Sequence, residues 1–479
     1  MGKRYLYVPY WSSTYSEKDG LAEKVAREFE RKAFMTDSTL FMLIDFNRIV
    51  LLRYWKIFMR LTGASCKIQF LIKGATPIEQ IFNDVDCYIS GDNPDEFIFL
   101  DYAYRKGIKI ISASQYLSEE QTTNTDLFSD IPISAEIQAI RQSFNDLKDN
   151  IIANYPPQQW EYFLFHTGLG DSLVFSYWLK EYKRYNNKKS GNKKILLLCI
   201  HKARADLMTL CPYVDKILIT SPQFFDYMEI YYADQYKIRN VHVAYYLPPA
   251  LGKIINFEYK NTIIGVFKDF LNINAKAKFE RYPIHLPENS RVTAQNLFRD
   301  MQLLEGKTVF IVPEGVTWGN FLGKNDFWIR IFEKIKAKGF EVVTNSAEEI
   351  IPGCKHVFLP LAESITFIGL CGNIISVPTG FSEVACALNE NVKIQFHAIY
   401  PNPKNDFWNR SWMAWNLFRL ADLQHFGGNF VQQYMEGYTY FLSQVSSPTV
   451  TTIAYQLGDT PAENDTLIEK IIDKITEIK

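Results

Sequence analysis

The sequence has almost no net charge, no cysteine pair at metal or redox spacing, and no long apolar run. Lysine and arginine number 52 against 53 aspartate and glutamate, a formal net charge of −1, so nothing draws the whole chain to nucleic acid. The 7 cysteines are Cys66, Cys87, Cys199, Cys211, Cys354, Cys371 and Cys386. None forms a C-x-x-C pair and the count is odd, which argues against a zinc site and a disulfide framework. Most lie in apolar runs such as Leu196-Leu197-Leu198-Cys199-Ile200 and read as buried free thiols of a reducing compartment. No window supplies the roughly 18 uncharged apolar residues of a transmembrane helix. The opening MGKRYLYVPYW is too polar for a signal peptide, and Leu6 stands where myristoylation needs Ser or Thr. The expected compartment is the cytoplasm, with peripheral contact at the inner face of the plasma membrane left open.

What is present is an alternation of apolar runs and helical patterns over 479 residues, a length that suggests two to four domains. Aromatics make up 15% of the chain, which suits large packed interfaces and sugar-stacking surfaces alike. Over residues 1–115 the spacing predicts strands at Tyr5–Pro9, Thr39–Asp45, Lys67–Ile72, Asp86–Ile89 and Ile108–Ser112. Helical patterns near 20–34, 47–62, 76–83 and 95–106 separate them. Strands that alternate with helices argue for a parallel sheet. Residues 116–158 read as a helical linker, helical from about Ser134 to Ala153 and stopped by Pro156-Pro157. A first Rossmann-like, acceptor-side domain is expected over 159–287. A second, nucleotide-sugar-binding one is expected over 288–405, and a helical C-terminal segment over 406–479 docks on the core. In that segment Thr466-x-x-Glu469 reads as a capping box. Leu467, Ile468, Ile471, Ile472, Ile475 and Ile478 form one apolar stripe.

Three turns after predicted strands can do chemistry. The first is His166-Thr167-Gly168-Leu169-Gly170-Asp171. Thr167, Gly168 and Gly170 allow close backbone approach to a ligand, and Asp171 opens a helix. In an open α/β sheet, ligands sit at the carboxyl ends of the strands. Asp171 has two readings there: a helix cap, or a general base on a sugar hydroxyl. The second turn holds Glu314, Gly315, Thr317 and Gly319, followed by Lys324. Its amides and the lysine suit a diphosphate, and no Gly-Lys-Ser/Thr follows to make a P-loop. Lys324 alternatively reads as a solvated loop lysine. In the third, Ser376 to Glu383, the amides and hydroxyls of Thr379, Gly380 and Ser382 converge on a helix N-terminus. Glu383 there suits ribose or sugar hydroxyls, or simply complements the helix dipole.

The order of these turns resembles the GT-B glycosyltransferases, in particular the ADP-heptose:lipopolysaccharide heptosyltransferases of glycosyltransferase family 9. HTGLGDSLVFSYWLKEY looks like that family's G-L-G-D motif, and LCPYVDKILI at 210–219 is similar to its P-x-V-D segment. IVPEGVTWGNFLGKNDFW resembles its P-G-x-x-x…K-x-W loop. SVPTGFSEVACALN resembles its D-[ST]-G-x-x-H-x-A-x-A-L stretch. The resemblance covers about 160–400. It departs at Pro378, where the family has Asp, and at Glu383, where it has His. Those positions help hold the donor, so the resemblance does not carry over a donor sugar.

The resemblance implies a GT-B-like pair of Rossmann-like domains, preceded here by the additional N-terminal α/β domain. It implies an inverting, metal-independent glycosyltransferase of the hexosyl- or heptosyltransferase type, acting in cell-surface polysaccharide synthesis. Its partners are a nucleotide-diphosphate sugar and a glycan, lipid-linked or protein acceptor, with no cofactor and no nucleic acid. Asp171 matches the proposed base. Lys324 and the amides near Gly315, Thr379 and Gly380 match the groups that stabilise the leaving diphosphate. Two alternatives stand beside this: a sugar-nucleotide epimerase, and a non-catalytic glycosyltransferase-like binding protein. The basic run 180–194 and the helical face Arg53, Lys56 and Arg60 read as solvated or packed surfaces, or as contacts to anionic lipid.

Overall fold

A computed structural model describes residues 2–8, 19–33, 38–44, 68–72, 78–91, 97–118, 133–185, 191–242, 263–274, 276–313, 326–390, 392–400, 439–458 and 460–477. The chain divides into two compact units.

The first unit comprises Met1–His166, Lys193–Ile200 and Leu218–Gly252. Five strands follow the predicted runs closely: β1 (Arg4–Tyr7), β2 (Thr39–Ile44), β3 (Ile68–Ile72), β4 (Cys87–Ser90) and β5 (Lys109–Ser112). They form a sheet of order β3-β2-β1-β4-β5, and all of its pairs are parallel. β6 (Trp160–His166), β7 (Lys194–Cys199), β8 (Lys216–Ile219) and β9 (Arg239–His242) form a second sheet of order β8-β7-β6-β9, with β6 parallel to both neighbours. Both sheets begin at their first strand, run outward, and then reverse, as doubly wound folds do. Apolar strand residues face helices on both sides, as parallel sheets require. Leu6 and Tyr88 of one sheet and Tyr162, Leu164, Leu196 and Leu198 of the other lie in a single core cluster.

A buried carboxylate ties the helices of this core together. Asp101, fully buried, lies on the helix Phe97–Arg105. It accepts from Arg141 Nε at 2.7 Å and also from Arg141 Nη2, and from the Tyr231 hydroxyl at 2.9 Å. Arg105 adds an ion pair at 3.1 Å. Arg141 belongs to the helix Ile133–Asn154 and Tyr231 to the helix Pro222–Tyr236. A buried charge needs such partners, because removing one leaves the other uncompensated at a cost of about 3–5 kcal/mol. Residues 133–154, expected as a linker helix, are therefore pinned to the core.

The second unit comprises Thr167–Asn192, His201–Ile217 and Lys253–Lys479. Its sheet contains β10 (Thr308–Val312), β11 (Glu341–Asn345), β12 (Lys355–Val357), β13 (Gly372–Ser376), β14 (Ile394–Tyr400) and β15 (Val450–Gln456). The order is β12-β11-β10-β13-β14-β15, parallel throughout. The chain order reverses between β10 and β13, where Val312 stands beside Ser376. The segment after 405, expected as helical, thus also supplies the sixth strand. The expected helical stretches at 47–62 and directly after Pro401 lie outside the described residues. So do Cys66 and the basic face of Arg53, Lys56 and Arg60. The other six cysteines are buried, and none of them forms a disulfide.

The last helix starts earlier than the sequence suggested. It spans Pro461–Thr476, and its capping box is Thr460 with Glu463, not Thr466 with Glu469. The Thr460 hydroxyl accepts from Glu463 N at 3.2 Å, and Glu463 Oε2 accepts from Thr460 N at 3.0 Å. Pro461 explains the choice: its fixed φ and missing N–H suit the first helical position. Thr466 is internal and donates to Ala462 O, while Glu469 pairs with Lys334. The apolar stripe holds over Leu467, Ile468, Ile471, Ile472 and Ile475, all buried. Among the described residues, no helix is long and apolar enough to cross a membrane.

Two predictions follow from these contacts. Thr460→Ala should cost about 1 kcal/mol, seen as faster amide exchange along Pro461–Thr476, whereas Thr466→Ala should leave that exchange within a factor of two. Equal effects would return the cap to Thr466. The second concerns His397, fully buried in β14 and stacked on Tyr455 with ring centroids 5.8 Å apart. Burial holds its imidazole down to about 3, against about 6.5 in an unfolded chain. Between those values the unfolded state binds the proton and the folded state does not. The contribution is complete above about pH 6.5 and falls away toward pH 3, by about 1.4 kcal/mol per unit. Denaturation midpoints of His397→Phe should therefore fall less steeply between pH 6.5 and 4 than those of the wild type; parallel slopes would refute it.

Candidate active site

The turn after β6 is built around its own first helical turn. The helix Leu169–Tyr185 follows directly, and Ser172 N donates to Gly168 O at 2.8 Å, which makes Gly168 the cap position. Asp171 is therefore not the cap residue. It sits in the first turn and reaches back, its Oδ2 accepting from Gly168 N at 3.1 Å. That is the acidic half of a capping box, and it fixes the direction of the carboxylate. Thr167 is buried, its hydroxyl 2.7 Å from that of Ser172, and Ser172 Oγ donates to Gly168 O at 2.8 Å. The pattern of small and hydroxylated residues thus locks the turn through local bonds.

The turn after β13 is locked in the same manner. Thr379 caps the helix Gly380–Leu388, its side chain accepting from Ser382 N at 3.2 Å. The Ser382 hydroxyl lies 2.8 Å from Thr379 Oγ1 and 3.0 Å from Ser376 Oγ. Ser376 and Ser382 are fully buried. Ser376 had no assigned role in the sequence; its place at the end of β13, six residues before Ser382, was the available signal.

The two turns belong to the same unit and meet tip to tip. A Cβ on Gly380 would lie 2.4 Å from Gly170 N and 3.2 Å from the Leu169 carbonyl carbon. A Cβ on Gly170 would lie 3.3 Å from Gly380 Cα and 1.7 Å from Glu383 Oε2. At Gly380 backbone therefore meets backbone and only glycine fits, whereas at Gly170 the obstacle is the Glu383 carboxylate, with the Gly380 Cα in tight contact. Glu383 is 5% exposed, with its carboxylate laid over Gly170. Its charge reaches Cys386 and Tyr400: burial first, and then Glu383, push both groups above their usual range. Two positive helix ends thus abut, with one carboxylate from each helix at the join.

The structure brings together Thr167, Gly168, Gly170, Asp171, Thr379, Gly380, Ser382 and Glu383. Glu314, Gly315, Thr317 and Lys324 lie outside the described residues. Their segment leaves β10 at Val312, beside Ser376 of β13, where the strand order reverses. Of the basic run, Lys183 pairs with Asp215 at 2.6 Å and Lys180 with Glu280 at 3.6 Å. His166 packs edge-on against Phe225, and His201 occupies a cap position without a side-chain cap bond. Among the described residues, no group of three His, Cys, Asp or Glu side chains converges as metal ligands would. A cavity of about 1020 Å³ lies elsewhere, lined by His285, Arg291, Glu305, Thr366 and Lys393. It opens at the amino ends of β10, β13 and β14, away from both turns.

No protein-family model matches the sequence, and no curated protein matches it. In three dimensions the chain is similar to ADP-heptose lipopolysaccharide heptosyltransferase II of E. coli, at 10% identity over 66% of this chain and 99% of that chain, with a TM-score of 0.41. A second similar structure is the family 9 glycosyl transferase of Veillonella parvula, at 11% identity over 66% and 89%, with a TM-score of 0.39. A third is the E. coli heptosyltransferase WaaC with ADP, at 9% identity over 60% and 99%, with a TM-score of 0.33.

The tip-to-tip contact makes a sharp prediction. Gly170→Ala should destabilise by about 1–3 kcal/mol through overpacking, and Glu383→Ala should relieve most of that, because the nearest obstacle is the Glu383 carboxylate. The coupling energy in a double-mutant cycle should exceed about 0.5 kcal/mol. Gly380→Ala strikes backbone instead, and Glu383→Ala should not rescue it. Additive effects in the first pair would show that the two turns do not touch as described.

Proposed function

We propose that the chain is a glycosyltransferase that moves a sugar from a nucleotide-diphosphate sugar to a hydroxyl of a glycan, lipid-linked or protein acceptor. Asp171 takes the proton from the acceptor hydroxyl. The oxygen attacks the anomeric carbon, the bond from that carbon to the diphosphate breaks, and the diphosphate leaves with the electron pair. Attack from the opposite face inverts the anomeric configuration. No metal takes part in this reading. The amides of Gly315 and Gly380, the Thr317 hydroxyl and Lys324 receive the diphosphate, while the hydroxyls of Thr379 and Ser382, bonded to each other, hold the turn that presents the Gly380 amide. Preformed donors aimed at developing charge are a large catalytic term. Thr167, Gly168 and Gly170 face the sugar, and Glu314 and Glu383 accept from hydroxyls of the donor. The work is that of cell-surface polysaccharide synthesis in the cytoplasm.

One observation supports this reading above the others. The glycine-acid turn after β6 and the hydroxyl-rich turn after β13 abut through Gly170 and Gly380. The β13 turn also stands at the reversal point of a six-stranded parallel sheet, where such sheets bind ligands. In this reading the base and the helix end that takes the diphosphate lie side by side. The sequence motifs resemble those of family 9 glycosyltransferases in the same order.

The test has two arms. Thermal shift with ADP, UDP, GDP and dTDP sugars should identify a donor, and acceptor-dependent release of the nucleoside diphosphate should follow. Asp171→Asn should keep donor binding and lose transfer by roughly 10²–10⁴-fold; unchanged transfer would reduce Asp171 to its capping bond. Epimer release without acceptor would instead favour an epimerase. Binding without turnover would favour a binding protein.

A further inference from the structure

The cavity at the amino ends of β10, β13 and β14 contains a buried acceptor that the fold does not use. Asn389 is 5% exposed and caps the helix Gly380–Leu388. Its Nδ2 donates to Ile365 O at 3.1 Å and to Ala385 O at 2.9 Å, which fixes the amide and turns Oδ1 the other way. Among the described residues no donor reaches Oδ1. It lies over Gly369, 2.6 Å from where a Cβ on that residue would be, and both residues line the cavity. A buried acceptor calls for a donor, and the side open to one is the cavity. Thr366, one turn before Gly369 on the same helix face, donates its hydroxyl to Ala362 O at 3.1 Å and keeps lone pairs that can accept.

Both signs of charge line the walls. Arg291 Nη1 lies 3.9 Å from Glu288 Oε2, and Glu390 Oε1 accepts from Arg281 Nη2 at 2.5 Å. Glu305 and Lys393 flank the point where two strand starts meet: a Cβ on Gly372 would lie 3.5 Å from Gly306 Cα and 4.0 Å from Lys393 O. The N-terminus of the helix Glu288–Asp300 and the C-caps Gly372 and Asn389 border the same space, so the helix ends are of both signs too. A charged ligand would lose its water there without meeting a wall of opposite charge. Hydroxyls suit such a wall, since each both donates and accepts, and buried Ile284 and Leu388 give apolar contact to C–H faces. A volume of about 1020 Å³ stands at the top of the range of small-molecule sites, about 300–1,000 Å³, and suits a short chain of sugar rings. We propose that this cavity binds an uncharged oligosaccharide, whose hydroxyls donate to Asn389 Oδ1 and Thr366 Oγ1 and accept from Arg291 and Lys393. The site is separate from the join at Gly170 and Gly380, and binding there needs no sugar transfer.

Calorimetry on the intact chain tests this. Maltotriose, cellotriose and tri-N-acetylchitotriose are the neutral probes. The glucosamine trimer, trigalacturonate and a blocked tripeptide amide are the cationic, anionic and non-sugar controls. At least one neutral trisaccharide should bind with a Kd of about 1 mM or tighter, and each control at least about tenfold more weakly. Gly369→Ala sets a methyl group against Asn389 Oδ1 and should weaken the binding by about tenfold or more, about 1.4 kcal/mol. Thr366→Val keeps nearly the same shape without the hydroxyl and should weaken it by about threefold or more, as the loss of one hydrogen bond does. If thermal melts show that Gly369→Ala does not fold, Thr366→Val decides alone. Binding of no neutral trisaccharide, equal binding of any control, or binding that the folded cavity variants leave unchanged would overturn the proposal.

Discussion

Two helix N-termini cannot meet tip to tip unless something removes both the steric and the electrostatic obstacle. Glycine removes the first. With a Cβ at Gly380 the Gly170 nitrogen would be 2.4 Å away, so a residue without a side chain at 380 is the condition for contact. Carboxylates remove the second. Each helix end carries about half a positive charge, and Asp171 and Glu383, one from each helix, supply the compensation. The rest of the candidate site follows from this. Thr167 and Ser172 hold one turn, Thr379, Ser382 and Ser376 hold the other, and their bonds are spent on rigidity. Side chains set among so many local bonds are held in one geometry.

A different constraint governs the first unit. The N-terminal sheet is doubly wound in its own right, with the order β3-β2-β1-β4-β5, and nothing in its topology requires it to attach to the sheet of β6–β9. Asp101 makes the attachment specific. A fully buried carboxylate that pairs with Arg141 and Arg105 and accepts from Tyr231 tolerates one arrangement of three helices and penalises others. Aromatic packing around it, from Phe144 to Phe97, Phe224 and Tyr227, supplies the apolar area. The high aromatic content of the sequence is used here for packing within a core.

Strand positions were the most legible part of the sequence. β1 to β5 differ from the expected runs by a residue or two, because short apolar segments bounded by polar turns have few alternative pairings. The helix start at Pro461 was missed because two capping-box patterns lie six residues apart, and only the one preceded by free chain can cap. β15 was missed because Val450-Thr451-Thr452-Ile453 is a weak apolar run, made a strand by its partner β14 rather than by its own pattern. The turn residues Thr167 to Asp171 and Thr379 to Glu383 were found from glycine and hydroxyl spacing. Their mutual contact was not, since the two turns are some two hundred positions apart and no local signal links Gly170 to Gly380. The bond from Asp171 to Gly168 was also hidden: an acid near a helix start reads as a cap residue, and only the backbone shows that the cap lies three residues earlier.

A cavity of about 1020 Å³ lies at the amino ends of β10, β13 and β14. Its wall carries both signs of charge, Arg291 and Lys393 beside Glu288, Glu305 and Glu390. Gly372 and Asn389, which line it, are the C-caps of the helices Leu361–Cys371 and Gly380–Leu388, so the carbonyl ends of both helices face that end of the sheet. Those ends carry partial negative charge, which Arg291, Lys393 and the N-terminus of the helix Glu288–Asp300 on the same wall offset. A parallel sheet orders its helices so that N–H ends gather at the carboxyl edge and carbonyl ends at the amino edge. The join at Gly170 and Gly380 gathers two N–H ends, whereas the cavity at the opposite edge sets two carbonyl ends against Arg291, Lys393 and one helix N-terminus.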